Sequence, residues 1–178
     1  MAKYVALLRG INVGGNNKVE MSRLKKVFEV IGHTNVVSYI NSGNIIFESK
    51  QKDGKKLVMG IEKAIKKEFG LEVKTIVRDS KSIQKVCKAI PSEWTNDLNE
   101  RTDVLFLWDA YDTKKSLNLL SATKGVDTVL YIKGAIVWNM DKKHYTKSGL
   151  RKLIGTTLYK NMTGRNIHTV RKLEELMK

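Results

Sequence analysis

Two stretches of this chain read alike: Ser38-Tyr-Ile-Asn-Ser-Gly-Asn-Ile-Ile-Phe47 and Val129-Leu-Tyr-Ile-Lys-Gly-Ala-Ile-Val-Trp138. Each runs Tyr-Ile, a short turn containing Gly, two aliphatics and then an aromatic. Aliphatic and aromatic runs on either side of a Gly turn signal a β-hairpin. The same hairpin met twice predicts an internal repeat, with two halves of similar topology.

Working outward from the first hairpin, Tyr4 to Arg9 reads as a strand. Met21, Leu24, Val27, Phe28 and Ile31 share one face of a helix, with Gly32 at its end. Leu57, Val58, Ile61, Ala64, Ile65 and Phe69 form a second helical stripe, closed by Gly70, and Glu72 to Arg78 alternates as a strand does. Ser80 opens a third helix carrying Ile83, Val86, Cys87 and Ile90, and the sole proline, Pro91, ends it. The order β-α-β-β-α-β is the ferredoxin-like unit. Around the second hairpin, Val104 to Trp108 is a strand, Asp112 is placed to cap a helix with Leu117, Leu119 and Leu120, and Ser148 opens a helix through Tyr159. Thr163-Gly-Arg-Asn166 leads into a final helix with Ile167, Val170, Leu173, Leu176 and Met177, and no last strand is evident. The expectation is an α+β fold of two ferredoxin-like halves with antiparallel sheets, residues 1–91 and 100–178, the second incomplete and ending in a helix. A polar stretch from Pro91 to Glu100, containing Trp94, joins them.

The 178 residues are 42% hydrophobic, enough for a real core. One cysteine excludes a disulfide within the chain and suits a reducing compartment. The apolar run Val5 to Leu8 stops at Arg9, too short for a signal peptide, and no run approaches the ~20 apolar residues that span a bilayer. A cytoplasmic protein with no membrane partner follows. The formal net charge of +15 suggests an acidic partner, yet Lys outnumbers Arg 26 to 7 and the charge is spread along the chain. Readers of phosphates and bases lean on the arginine fork, so any nucleic acid binding is expected to be weak and non-specific.

The segment Arg9-Gly-Ile-Asn-Val-Gly-Gly-Asn-Asn-Lys18 is a Gly/Asn-rich loop between a strand and a helix, bounded by two cations. It is neither a Walker A loop, which needs Gly-Lys-Ser/Thr, nor a G-x-G-x-x-G fingerprint. In a β-α-β-β-α-β unit a right-handed crossover makes strands one and two parallel. The loop after strand one and the turn after strand two then lie at the same end of the sheet. That gathers Arg9, Asn12, Gly14, Gly15, Asn16, Asn17 and Lys18 with Asn41, Ser42 and Asn44 on one rim, a constellation suited to phosphate. The competing reading is local: the glycines supply positive φ and the asparagines satisfy turn amides. Arg165 and Asn166 offer a second anion site at a helix start, against the simpler reading of an N-cap.

Catalytic signals are sparse. His33, His144 and His168 lack metal-ligand spacing, Cys87 sits on an apolar helix face, and Asn41-Ser42-Gly43 is not a G-x-S-x-G elbow. No cofactor or metal is implied. An RNA-recognition sheet would show aromatics in mid-strand, whereas these strands read Ala-Leu-Leu and Ile-Ile-Phe.

Leu8-Arg-Gly-Ile-Asn-Val-Gly-Gly15 with Asn17-Lys18, Tyr39-Ile-Asn-Ser-Gly-Asn-Ile-Ile-Phe47, and Thr163-Gly-Arg-Asn166 followed by Thr169-Val170 together resemble one bacterial family, domain of unknown function sixteen-ninety-seven. The resemblance spans nearly the whole chain and implies two ferredoxin-like halves but no established reaction. Ile167 stands where the family usually has an aromatic, which weakens the argument for stacking a base or ring there. Three functions compete on these residues: a module binding a nucleotide or other phosphate compound at the rim, an enzyme on a phosphorylated small molecule, and a non-specific nucleic acid binder.

Overall fold

The computed structural model describes residues 1–15 and 17–178 and divides into two compact units, Met1–Lys81 with Glu175–Lys178, and Ser82–Glu174. The first unit runs β1 (Ala2–Leu8), α1 (Met21–Val30), β2 (Thr34–Tyr39), β3 (Asn44–Ser49), α2 (Gly54–Phe69) and β4 (Thr75–Asp79), after which α3 (Ser80–Ala89) begins. Its sheet has the order β2-β3-β1-β4, every neighbouring pair antiparallel. Both β1 and β2 oppose β3, so they run parallel to each other, and the segments that follow them emerge at one end.

Alternation along β1 sends Tyr4, Ala6 and Leu8 to one face. There they join Ile45 and Phe47 of β3 beneath Leu24 and Phe28 of α1 and Leu57, Ile61 and Ile65 of α2. Each such large side chain contributes about 1.5–3 kcal/mol by leaving water. Phe47 lies at the centre, with its ring centroid 5.3 Å from Phe28, 5.7 Å from Tyr4 and 4.5 Å from His33. Its full burial removes it as a base-stacking platform. α2 forms where its stripe predicts: Asp53 caps its start by accepting from the Lys55 and Lys56 amides, and Gly70 closes it at φ 67°.

The second unit holds β5 (Glu100–Leu107), β6 (Asp127–Ile132), β7 (Ala135–Asp141) and β8 (Met162–Asn166) in the order β6-β7-β5-β8, again antiparallel throughout. The two sheets share one register. Leu7 stands between Asn44 and Ile76 as Phe106 stands between Ala135 and Thr163. The Leu8 amide donates to Gly43 O at 2.8 Å, and the Leu107 amide donates to Gly134 O at 3.0 Å.

Three sequence expectations change here. The last strand, not evident in the sequence, is β8, so the second sheet is complete. Its residues Met-Thr-Gly-Arg-Asn hide it, since Gly and Asn are depleted in strands. A Cβ at Gly164 would lie 3.3 Å from Leu105 Cδ2, so glycine lets the Leu105 side chain pack closely there. The helix expected after Asp112 is instead a 3₁₀ segment, Lys114–Leu119, preceded by a 3₁₀ turn, Asp109–Tyr111. Asp112 turns away from capping to accept hydrogen bonds from the β6–β7 turn. The helix expected from Ser148 to Tyr159 breaks into α4 (Leu150–Leu153) and α5 (Thr157–Lys160) at Gly155, φ 88°, with Thr156 capping the second piece. α6 (Ile167–Leu176) follows β8 without a loop. Among the described residues no helix is long and apolar enough to cross a membrane.

Candidate functional site

The loop from β1 to α1 turns repeatedly through the left-handed region, at Gly10, Asn12, Gly14, Gly15 and Asn17, with φ between 48° and 79°. Gly sits there without steric cost, and Asn at a lower cost than other side chains. Asn12 is the pivot. Its Oδ1 accepts from the Val19 amide at 2.7 Å, and its Nδ2 donates to Val19 O and to Asn41 O, each at 2.9 Å. Asn17 Nδ2 donates to Gly10 O at 3.0 Å. Across the way, Asn44 is fully buried and donates to Tyr39 O at 3.0 Å and to Ser42 Oγ at 3.2 Å. The asparagine side chains therefore stitch loop and turn together.

The β2–β3 turn is tightly held. Gly43 has φ 80°, and a Cβ on it would lie 2.8 Å from Leu8 Cβ and 3.0 Å from buried Ile11. Ile40 stands at φ 49° although β-branched and half exposed, a conformation costing about 1–3 kcal/mol.

Where loop, turn and α1 meet there is a cleft of about 600 Å³. Asn12, Gly15, Lys18 and Asn41 line it, joined by Glu20, Met21 and Ser22 from the start of α1. Glu20 occupies the N-cap position without a side-chain cap bond, and the first turn carries no acidic residue. Instead the Ser22 hydroxyl donates to the Glu20 carboxylate. The positive end of the α1 dipole thus opens on the cleft beside exposed Lys18. The α1 start is the part that motif reading missed; its signal is a helical stripe beginning at Met21 with Glu, not Ser, Thr, Asp or Asn, before it.

The remaining candidates lie elsewhere. Arg9 is partly buried at the end of β1, its amide donating to Lys74 O at 2.9 Å, and neither it nor Gly14, Asn17, Ser42 or Asn44 lines the cleft. Asn16 lies outside the described residues. Arg165 and Asn166 belong to β8 in the other unit. Arg165 is 8% exposed, and its guanidinium donates to Thr163 Oγ1 at 3.0 Å and Gly164 O at 2.7 Å; burial pulls its pKa down to about 10. Asn166 Oδ1 accepts from the Thr169 amide at 2.8 Å, an N-cap for α6.

The equivalent end of the second unit carries Asp112. Its carboxylate accepts from the Gly134 amide at 2.7 Å and the Tyr131 hydroxyl at 2.9 Å, and it pairs with Lys133 at 2.8 Å. Burial raises its pKa, but these partners outweigh that and hold the carboxyl below its usual range.

Two four-stranded antiparallel sheets of one order, each backed by helices, define a protein of two ferredoxin-like halves. The chain belongs to the family described as Protein of unknown function (DUF1697), whose model matches residues 1–138. It is similar over its whole length to the conserved bacterial protein SP0830 from Streptococcus pneumoniae, at 29% identity and a TM-score of 0.85, covering 99% of each chain. No curated protein matches it.

Proposed function

We propose that this protein is a cytoplasmic binding module for an anionic ligand, a nucleotide or other phosphate compound, held in the cleft at the start of α1. The observation that carries the reading is the uncapped α1 N-terminus opening on a 600 Å³ cleft beside Lys18. Free helix N–H groups and a nearby ammonium are what an oxyanion needs. The strained Ile40 in the adjoining turn supports it, because strain at a loop persists where surrounding structure enforces a geometry. Glu20 sets the condition: its carboxylate must stay turned toward Ser22, or be displaced, when an anion enters.

The test is an amide shift map with phosphate, sulfate and ATP. The Gly15, Lys18, Met21, Ser22 and Asn41 amides should move together. Lys18→Ala should weaken binding by about 1.5–3 kcal/mol, the range for a charged hydrogen bond, with Arg9→Ala costing less because Arg9 lies off the cleft. Anions that leave these amides unmoved would reduce the loop to a turn-forming element.

A further inference from the structure

A second feature of the first unit is independent of that cleft. Between α1 and α2 runs a groove of about 680 Å³. Its floor is apolar: Val27, Ile31 and Ala64 lie in it, and Val30 is 84% exposed along it. Gly60 lies in the middle of this floor, in an interior turn of α2, with open space where its Cβ would be. Glycine inside an exposed helix weakens it relative to alanine. Neither a positive φ nor a close neighbour requires it here. What its missing side chain provides is depth in the groove.

The rim is cationic in a selective way. Lys25 and Lys66, which do not line the groove, are paired with Glu29 and Glu72. Lys26, Lys63 and Lys67 line it and have no ion-pair partner among the described residues. Arg23 is held by Glu68 at 2.6 Å and lies over the Phe69 ring, tying α1 to α2 at one end of the groove.

We infer that this groove is a docking surface for an acidic amphipathic helix of a partner protein. A channel between two helices accepts a ridge of apolar side chains at helical spacing, the helix-in-groove mode of recognition. Unpaired lysines on both walls, Lys26 from α1 and Lys63 and Lys67 from α2, select carboxylates flanking that ridge.

The experiment uses the full chain and a synthetic peptide of about four helical turns, with leucines at helical spacing and glutamates on both flanks. The peptide should shift the methyl signals of Val27, Val30, Ile31 and Ala64. Its isomer with lysine flanks should bind at least about tenfold more weakly. Gly60→Leu fills the groove while removing a helix-weakening residue, so its melting temperature should rise as affinity falls by about tenfold or more. The double variant Lys63→Glu, Lys67→Glu should reverse the preference between the two peptides. Equal binding of the two peptides, or unchanged binding by Gly60→Leu, overturns the proposal. So does a response of these methyls to phosphatidylserine vesicles alone, which makes the face a lipid surface. Self-association that Gly60→Leu abolishes in sedimentation equilibrium assigns the groove to a second copy, and also overturns it.

Discussion

The same end of the same sheet is finished differently in the two units. After β5, Asp112 returns to the β6–β7 turn and supplies a carboxylate to the Gly134 amide and the Lys133 ammonium. After β1, Asn12 returns to the β2–β3 turn, but donates an amide to Asn41 O. The second unit carries its own anion at this rim. The first places a neutral side chain at the turn, follows it with a helix whose N-cap Glu20 is turned toward Ser22 and makes no cap bond, and leaves a cleft. The proposed anion site falls at the rim whose turn is not met by a carboxylate from its own loop.

The largest expected effect tests whether the open rim is as firmly built as the closed one. Gly43→Ala combines a left-handed φ with a Cβ 2.8 Å from Leu8 Cβ. Overpacking and backbone strain together should cost about 2–4 kcal/mol, read as a fall in the urea midpoint. Loss of less than about 1 kcal/mol would mean that the turn can shift off β1 and that the cleft has no rigid wall.

A reciprocal exchange goes to the comparison itself. Asn12→Asp removes the donor that faces Val19 O and Asn41 O and sets a carboxylate against both carbonyls. It should cost about 1–3 kcal/mol and also repel phosphate from the cleft. Asp112→Asn removes the charge facing Lys133 and the Gly134 amide and should cost about the same, with no effect on any anion bound beside Lys18. If Asp112→Asn alters phosphate-induced shifts at the α1 amides, the two rims are not chemically separate.

Much of this contrast is readable from residues, and the reason it is incomplete is physical. The hairpins are legible because their periodicity and turn glycines are local properties. The meeting of loop and turn is legible because crossover handedness leaves one arrangement. β8 is illegible because Thr163, Gly164, Arg165 and Asn166 carry no apolar alternation; the strand is held by its ladder to β5. Asp112 is misread because an N-cap and an acceptor for a distant turn use the same side chain. The cleft residues of α1 escape notice because an absent cap is not a motif. Nor does any local pattern tell that the Asn12 and Asn44 amides are already engaged by backbone carbonyls, which only tertiary contact decides.

The smallest effect expected separates the units by pH. In the first, His33 is buried against Phe28 and Phe47, its Nδ1 has no hydrogen-bond partner among the described residues, and burial lowers its pKa. The folded chain therefore binds this proton less readily than the unfolded one. The contribution is fully present above the unfolded value of about 6.5 and is lost as pH falls through it toward the depressed folded value. In the second unit, Asp127 accepts from the Ser148 hydroxyl at 2.5 Å, the Thr123 amide at 2.7 Å, the Gly149 amide at 2.8 Å and Trp138 Nε1 at 3.0 Å. Burial raises its pKa, but these donors prevail and hold it low, as Asp112 is held. Their contribution stands above about pH 3.9 and fails only as pH drops below it. Amide exchange followed from pH 7 to pH 3 should thus show protection falling first at Phe28 and Phe47, and only later at Trp138 and Gly149. His33→Phe should remove the early step while leaving the late one. A single loss of protection in both units near pH 6, unchanged by His33→Phe, would mean that acid stability is set by a group outside both clusters.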